Sequence, residues 1–181
     1  SIEKHVDNVE LAAVCDTDAQ SLNQRAEEYK VPAYRWMEEM LQNEHIDLVA
    51  LCTPSGIHPD QALLAAKHKV HVMTEKPMAT RWADGVRMVR ACDEAKVRLF
   101  VVKQNRCNTT LQLLKRAVEE KRFGRIHMVH LNVFWTRPQE YYDQGKWRGT
   151  WEFDGGAFMN QASHYVDLLD WLIGPVDKVQ A

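Results

Sequence analysis

The chain has 181 residues, of which 45% are hydrophobic and 27% charged, with a formal net charge of −2. That balance offers no electrostatic footprint for nucleic acid, and no run of about twenty apolar residues provides a membrane span. The length admits one large domain or parts of two.

Glu10 to Cys15 is a mostly apolar run ending at Asp16, and Ala19 to Tyr29 reads as a helix. Asp47 to Cys52 is a buried-strand pattern stopped by Thr53-Pro54-Ser55-Gly56. Pro59 to Lys67 is predicted helical, Val70 to Thr74 strand, Trp82 to Ala95 helical and Arg98 to Val102 strand. Nearly continuous apolar strands separated by helices predict a parallel sheet covered on both faces, a doubly wound α/β (Rossmann) architecture. Met37, Met40, Met88 and Trp171 fit helix faces and are expected in the core. Cys15, Cys52, Cys92 and Cys107 show neither close pairing nor zinc-ligand spacing. They read as buried thiols of a reducing cytoplasm, and no metal site is expected. No secretory signal is visible.

Past Lys103 the pattern changes. Thr109 to Arg122 predicts an amphipathic helix closed by Phe123-Gly124, and Arg125 to Thr136 alternates like an antiparallel strand. Residues 137–153 read as a long loop, and Phe158 to Ile173 as a helix stopped by Gly174-Pro175. The expected boundary lies at about residue 104. It separates the doubly wound domain over 1–104 from the start of a second domain over 105–181.

Chemistry concentrates where the strand ending in Thr74 meets Glu75-Lys76-Pro77. Open α/β sheets bind ligands at the carboxyl ends of their strands, and Pro77 restricts the conformation of Lys76 and forces a turn. A lysine held there can donate to a reacting hydroxyl and favour a developing alkoxide. Later, Asn160 and His164 stand four residues apart on one predicted helix face, with Asp167 three residues further on. His164 suits a base because an ordinary imidazole titrates near pH 6.5. Asp167 would either orient that ring or form a core salt bridge. Asp16 ends a strand where a dinucleotide fold places the carboxylate that takes the adenosine ribose hydroxyls, which favours NAD over NADP. The glycine-rich loop expected roughly twenty residues earlier is absent, because only fifteen residues precede Asp16 and none is Gly. Both ends look cut, and on that reading the first strand and glycine loop are missing and the fragment alone would be unable to hold the cofactor.

The order Asp16, Thr53-Pro54-Ser55, Glu75-Lys76-Pro77, Trp147-Arg148, Gly155-Gly156 and Asn160-x-x-x-His164-x-x-Asp167 resembles the Gfo/Idh/MocA oxidoreductase family. The stretches Trp151 to Gly156 and Asn160 to Asp167, with asparagine at 160 where the family usually has aspartate, look like the UDP-N-acetylglucosaminuronate 3-dehydrogenases of the WlbA/WbpB type. The resemblance implies an NAD-dependent dehydrogenase acting on a CH–OH donor, with an NAD-binding Rossmann domain over 1–104 and the start of a mainly antiparallel α+β substrate and oligomerisation domain over 105–181. The carbon is expected to be C3 of UDP-N-acetylglucosaminuronate, in O-antigen and lipopolysaccharide sugar biosynthesis. The alternatives are an inositol or free-sugar dehydrogenase of the same family, or a non-catalytic NAD-binding regulator.

Site residues follow from the same resemblance. Catalysis falls to Lys76 and His164, with His164 assigned as base and Lys76 as orienting partner, although either could make the direct proton transfer. Asp16, Thr53, Pro54, Ser55, His58, Glu75, Lys76, Gln104, Trp147 and Arg148 are expected to contact the cofactor. Asn105, Arg106, Asn160 and His164 are expected to contact the substrate. His58 could equally be a surface turn residue. Lys103 and Arg137 are candidates for a uronate carboxylate or pyrophosphate, or ordinary surface charges. The expected setting is a cytoplasmic homo-oligomer, dimer or tetramer, that handles a small sugar nucleotide and neither nucleic acid nor membrane.

Overall fold

The computed structural model describes residues 7–180, which fall into two compact units. The first comprises Ser1–Leu51, Asp60–Met73 and Arg87–Leu99, and the second Cys52–Pro59, Thr74–Val86 and Phe100–Ala181. The chain therefore passes from the first unit to the second after Leu51, Met73 and Leu99.

In the first unit, β1 (Val14–Cys15) and β2 (Ala33–Tyr34) pair in parallel, Val14 opposite Ala33 and Cys15 opposite Tyr34. The helix between them, α1 (Ala19–Tyr29), starts where Asp18 Oδ2 accepts from the Ser21 N–H at 2.8 Å. It ends at Lys30 with a left-handed φ of 56°. The short α2 (Met37–Asn43), for which the sequence offers little beyond Met37 and Met40, carries Glu38 and Glu39 against its positive end. A second sheet orders β3 (Leu48–Leu51), β4 (His71–Thr74) and β5 (Leu99–Val101) side by side. Helices α3 (His58–Lys67) and α4 (Trp82–Ala95) make the two connections, the crossover pattern that a parallel α/β sheet requires. The core is an alanine stripe on α3 (Ala62, Ala65, Ala66) with Val70 and Val72, and Met88 and Cys92 one turn apart on α4. Small residues there let helix backbone lie close to the strands.

The elements agree with the patterning except where pairing decides. Strands are shorter than predicted, and in β3 only Val49 and Leu51 are buried while Leu48 is exposed, so covering of both faces is incomplete there. Of the four cysteines only Cys92 is buried, because Cys15 and Cys52 sit at strand ends and Cys107 in a turn.

The second unit holds the turns that follow β3 and β4, then α5 (Thr109–Glu119), α6 (Gln139–Asp143) and α7 (Ser163–Ile173). Helix α5 is capped by Asn108, whose Oδ1 accepts from the Thr110 N–H at 3.0 Å. The strand expected over 125–136 is not formed: that segment has no ladder partner among the described residues, and alternation without a partner makes no strand. Nor is 137–153 a bare loop, since α6 and a series of turns occupy it. Leu111, Leu114 and Val118 of α5 and Leu168, Leu169 and Leu172 of α7 line a groove of about 560 Å³ with residues 123–131. Among the described residues no helix is long and apolar enough to cross a membrane.

Candidate active site

The second unit is where the sequence-predicted chemistry gathers. Thr74, fully buried, ends β4, and Glu75 and Lys76 follow it. The Lys76–Pro77 peptide bond is cis. Behind this turn the ring of His58 lies fully buried between two backbone carbonyls, Nδ1 3.1 Å from the oxygen of Pro77 and Nε2 2.9 Å from that of Thr53. His58 thus buckles the turn after β3 to the turn after β4. It neither lies on the surface nor lines a cofactor face, because no part of it is accessible; as a neutral ring it donates to one of the two carbonyls and packs against the other. Gly56 is also fixed by packing: its N–H donates to the Phe153 carbonyl at 3.0 Å, and a Cβ would stand 2.2 Å from the Glu152 oxygen. Side-chain-free backbone at 56 lets the segment carrying Glu152 and Phe153 lie directly on the turn after β3.

That segment leads to Asn160 and His164. Gly155 has φ +73°, which a glycine adopts without penalty, and Phe158–Ala162 then make a π turn before α7. π turns inside α-helices mark functional sites often enough to be informative. Here the wide turn aims Asn160 at the lysine: Lys76 Nζ donates to the Asn160 backbone oxygen at 2.8 Å and to its Oδ1 at 3.0 Å. The Asn160 Nδ2 donates in turn to Asp154 Oδ1, and Asp154 Oδ2 accepts from the Gly149 N–H at 2.7 Å.

His164 is buried one turn further on, and its ring makes no hydrogen bond among the described residues. Burial, then the cations of Lys76 and Lys103, push its pKa below the ordinary 6.5, with Asp167 and Glu75 opposing. The lysine ammonium is likewise held below its usual range, chiefly by burial, against the attraction of Glu75 and Asp154. A neutral imidazole within the field of an ammonium pairs a proton acceptor with a fixed donor.

Asp167 takes the salt-bridge alternative. Arg106 grips it with two bonds, Nε to Oδ2 at 2.9 Å and Nη2 to Oδ1 at 2.7 Å, and Lys103 Nζ stands 3.7 Å from Oδ1. The Arg106 fork therefore anchors α7, with part of the guanidinium left exposed. Lys115 adds a second tie, donating to the Trp171 carbonyl at 2.7 Å. Arg148 folds onto its own loop, with Nη1 donating to the Tyr141 oxygen at 2.9 Å and the guanidinium 4.4 Å from the Tyr141 ring centroid. Arg137 is exposed, donates to Gln161 Oε1 at 3.0 Å and lies over Trp135 and Tyr141. Ser55 is buried, Thr53, Pro54, Asn105 and Trp147 are half-buried, and Gln104 is exposed. Asp16 belongs to the first unit, where it is exposed at the end of β1 and its Oδ1 accepts from the Asp18 N–H at 2.9 Å. Sequence reasoning missed Asp154. Its only sequence signal is an acid directly before a Gly-Gly pair, and nothing in that spacing announces burial.

Comparison with known proteins now decides the family. The sequence model of the Gfo/Idh/MocA oxidoreductase family, NAD-binding Rossmann fold, matches residues 1–103, and that of the family's C-terminal domain matches 111–181. The chain belongs to the Gfo/Idh/MocA family. It is 64% identical to the WlbA dehydrogenase of Chromobacterium violaceum, solved in complex with NADH and UDP-GlcNAcA, with a TM-score of 0.93 over 97% of this chain and 51% of that one. Against the WlbA dehydrogenase of Bordetella pertussis, solved with the same two molecules, identity is 60% at the same TM-score and coverage. Myo-inositol 2-dehydrogenase of Thermotoga maritima is 27% identical over 94% of this chain and 49% of its own length. The chain thus spans about half the length of the relatives it matches.

Proposed function

We propose that this Gfo/Idh/MocA chain serves an NAD-dependent dehydrogenase that oxidises a secondary alcohol of a sugar nucleotide, at C3 of UDP-N-acetylglucosaminuronate, in lipopolysaccharide sugar biosynthesis. One observation carries the chemistry: an ammonium, Lys76, fixed by two bonds to Asn160, with the buried His164 four residues further on and within the field of that charge. The sugar nucleotide is suggested by two similar proteins, at 64% and 60% identity, solved with NADH and UDP-GlcNAcA.

Within the first unit Asp16 offers an exposed carboxylate at a strand end, of the chemistry that takes ribose hydroxyls, and within the second Glu75 directly follows β4; each is carried as a cofactor contact on the family resemblance. Bound NAD would supply the hydride acceptor. His164, neutral because its pKa is depressed, takes the hydroxyl proton, a task worth about 10²–10⁴ in rate. Lys76, kept in place by two bonds, donates to the reacting oxygen and favours its alkoxide character. Thr53, Pro54, Ser55, Gln104, Trp147 and Arg148 are carried as cofactor contacts, and Asn105 and Asn160 as substrate contacts, on the family resemblance. A functional division at about residue 104 agrees with the ends of the two family matches. A cytoplasmic homo-oligomer, dimer or tetramer, rests on the resemblance alone, and light scattering on the purified protein tests it.

The decisive assay incubates the full-length protein with NAD and UDP-N-acetylglucosaminuronate and follows reduced nicotinamide in single-turnover mode, so that cofactor recycling cannot hide the signal. Lys76→Ala and His164→Ala are each expected to lower turnover by about 10²-fold or more. Near-normal turnover in both overturns the roles. A panel of inositols and free sugars should be poor substrates, and a better rate with any of them redirects the substrate assignment.

A further inference from the structure

We propose that Asp154 is a positioning residue of this site: its buried carboxylate fixes which way the Asn160 amide faces, and so delivers the amide oxygen to the Lys76 ammonium. The inference rests on the reading of Lys76 and His164 given above.

Asp154 is 4% exposed, yet no lysine or arginine among the described residues forms an ion pair with it. Burying a carboxylate without a paired cation is costly unless its oxygens are satisfied by donors. Both oxygens are so used, Oδ2 by the Gly149 N–H at 2.7 Å and Oδ1 by the Asn160 Nδ2. Asn160 has two chemically unlike ends of nearly equal size, and only its surroundings choose between them. An ammonium only donates and an ionised carboxylate only accepts. With Asp154 on one side and Lys76 on the other, the amide has one orientation that satisfies both. Turned over, its NH2 would face the ammonium and its oxygen the carboxylate, two like-polarity clashes in place of two bonds. Gln161 Nε2, 3.2 Å from Asn160 Oδ1, favours the same orientation.

The arrangement also carries charge. Lys76 is faced by Glu75 and Asp154, which favour its ammonium form, and by Lys103 and Arg137, which oppose it along with burial. His164 lies in the same field, its own protonation opposed by Lys76 and Lys103. Asp154 is the acid that reaches Lys76 through a hydrogen-bonded amide.

A reciprocal exchange tests this. In Asp154→Asn, residue 154 can offer one acceptor oxygen to Gly149 or to Asn160 but not to both, and the amide at 160 loses its bias. We expect kcat for UDP-N-acetylglucosaminuronate oxidation to fall about 10–100-fold with KM changed less than threefold. In Asn160→Asp with Asp154 retained, two buried carboxylates meet and activity falls as well. The double variant Asp154→Asn with Asn160→Asp places a carboxylate oxygen on Lys76 and an amide donor behind it. It should recover at least tenfold over the worse single variant. A second readout needs no turnover: acetylation of Lys76 by acetic anhydride across pH, followed by mass spectrometry of its peptide. Asp154→Asn should move the Lys76 midpoint to lower pH, and the exchange should move it back.

If Asp154 only braces the Gly149–Asp154 turn, the double variant is no better than Asp154→Asn and the Lys76 midpoint stays put, and the proposal is overturned. Should Asp154→Asn fail to fold, Asn160→Asp against the double variant gives the same comparison. Failure of the full-length protein to oxidise the sugar nucleotide would sink the functional reading, while the labelling series would still decide the role of Asp154.

Discussion

The depressed pKa of His164 has two separable consequences. A histidine that is harder to protonate when folded lowers stability only where the unfolded chain binds the proton and the folded one resists it. Stability is therefore full above about pH 6.5 and is lost as pH falls through that value toward the folded-state pKa. His58 acts in the same direction, since burial pushes its pKa down despite its carbonyl partners. We expect Tm to drop between pH 6.5 and 5, and His164→Gln to make that drop shallower. An unchanged slope in the variant removes His164 as a cause. For the base role proposed for His164 the sign is opposite in use: the neutral imidazole is available down to lower pH, so the acid limb of kcat/KM should lie below 6.5. Lys103→Met, which removes one of the depressing cations, should move that limb upward. At this scale residue type and position relative to a strand end or helix single out Lys76, Asn160 and His164, and the structure joins the first two by hydrogen bonds and buries the third. The Arg106–Asp167 clamp and the buried Asp154 were not legible in this way, since each depends on which side chain turns inward across 61 or 6 residues of chain.

Elements with local causes were read well. Helices α1 and α4 have the predicted bounds, Ala19–Tyr29 and Trp82–Ala95, because apolar spacing and terminal residues act within a few turns. Residues 125–136 carry a strand pattern but no strand, because a ladder needs a second chain segment that no local pattern supplies. The π turn at Phe158–Ala162 was equally hidden: a four-residue spacing fits an α-helix, and only the Asn160–Lys76 and Asn160–Asp154 bonds reward the wider turn. Gly56 makes a prediction at this scale. Gly56→Ala forces its Cβ into backbone 2.2 Å away, which cannot rotate aside, and should cost about 1–3 kcal/mol in urea unfolding. Gly145→Ala would meet a flexible indole edge at 3.0 Å and should cost less. Equal losses would show that the segment at Glu152 yields.

On the scale of the whole molecule, a net charge of −2 gives little repulsion between copies, and much apolar surface is exposed, with Phe134 at 90%. The open groove between α5 and α7 is expected to bind the dye ANS with a fluorescence rise. Leu114→Glu on its wall should lower that rise, and an unaltered signal would place the dye elsewhere. Fold class was legible at this scale from strand and helix alternation. The grouping of the turns after β3 and β4 with Phe100–Ala181 was not, because compactness is a property of contacts and the sequence states only order. That grouping has a temporal side. The turn at Gly56 closes on the Phe153 carbonyl, roughly 100 residues later in the chain. At about 5–20 residues per second, a ribosome would leave that turn waiting some 5–20 s for its partner. A growing chain would thus hold finished helices well before Lys76 can meet Asn160, and stalled translation ahead of residue 153 would release strands and helices without that contact.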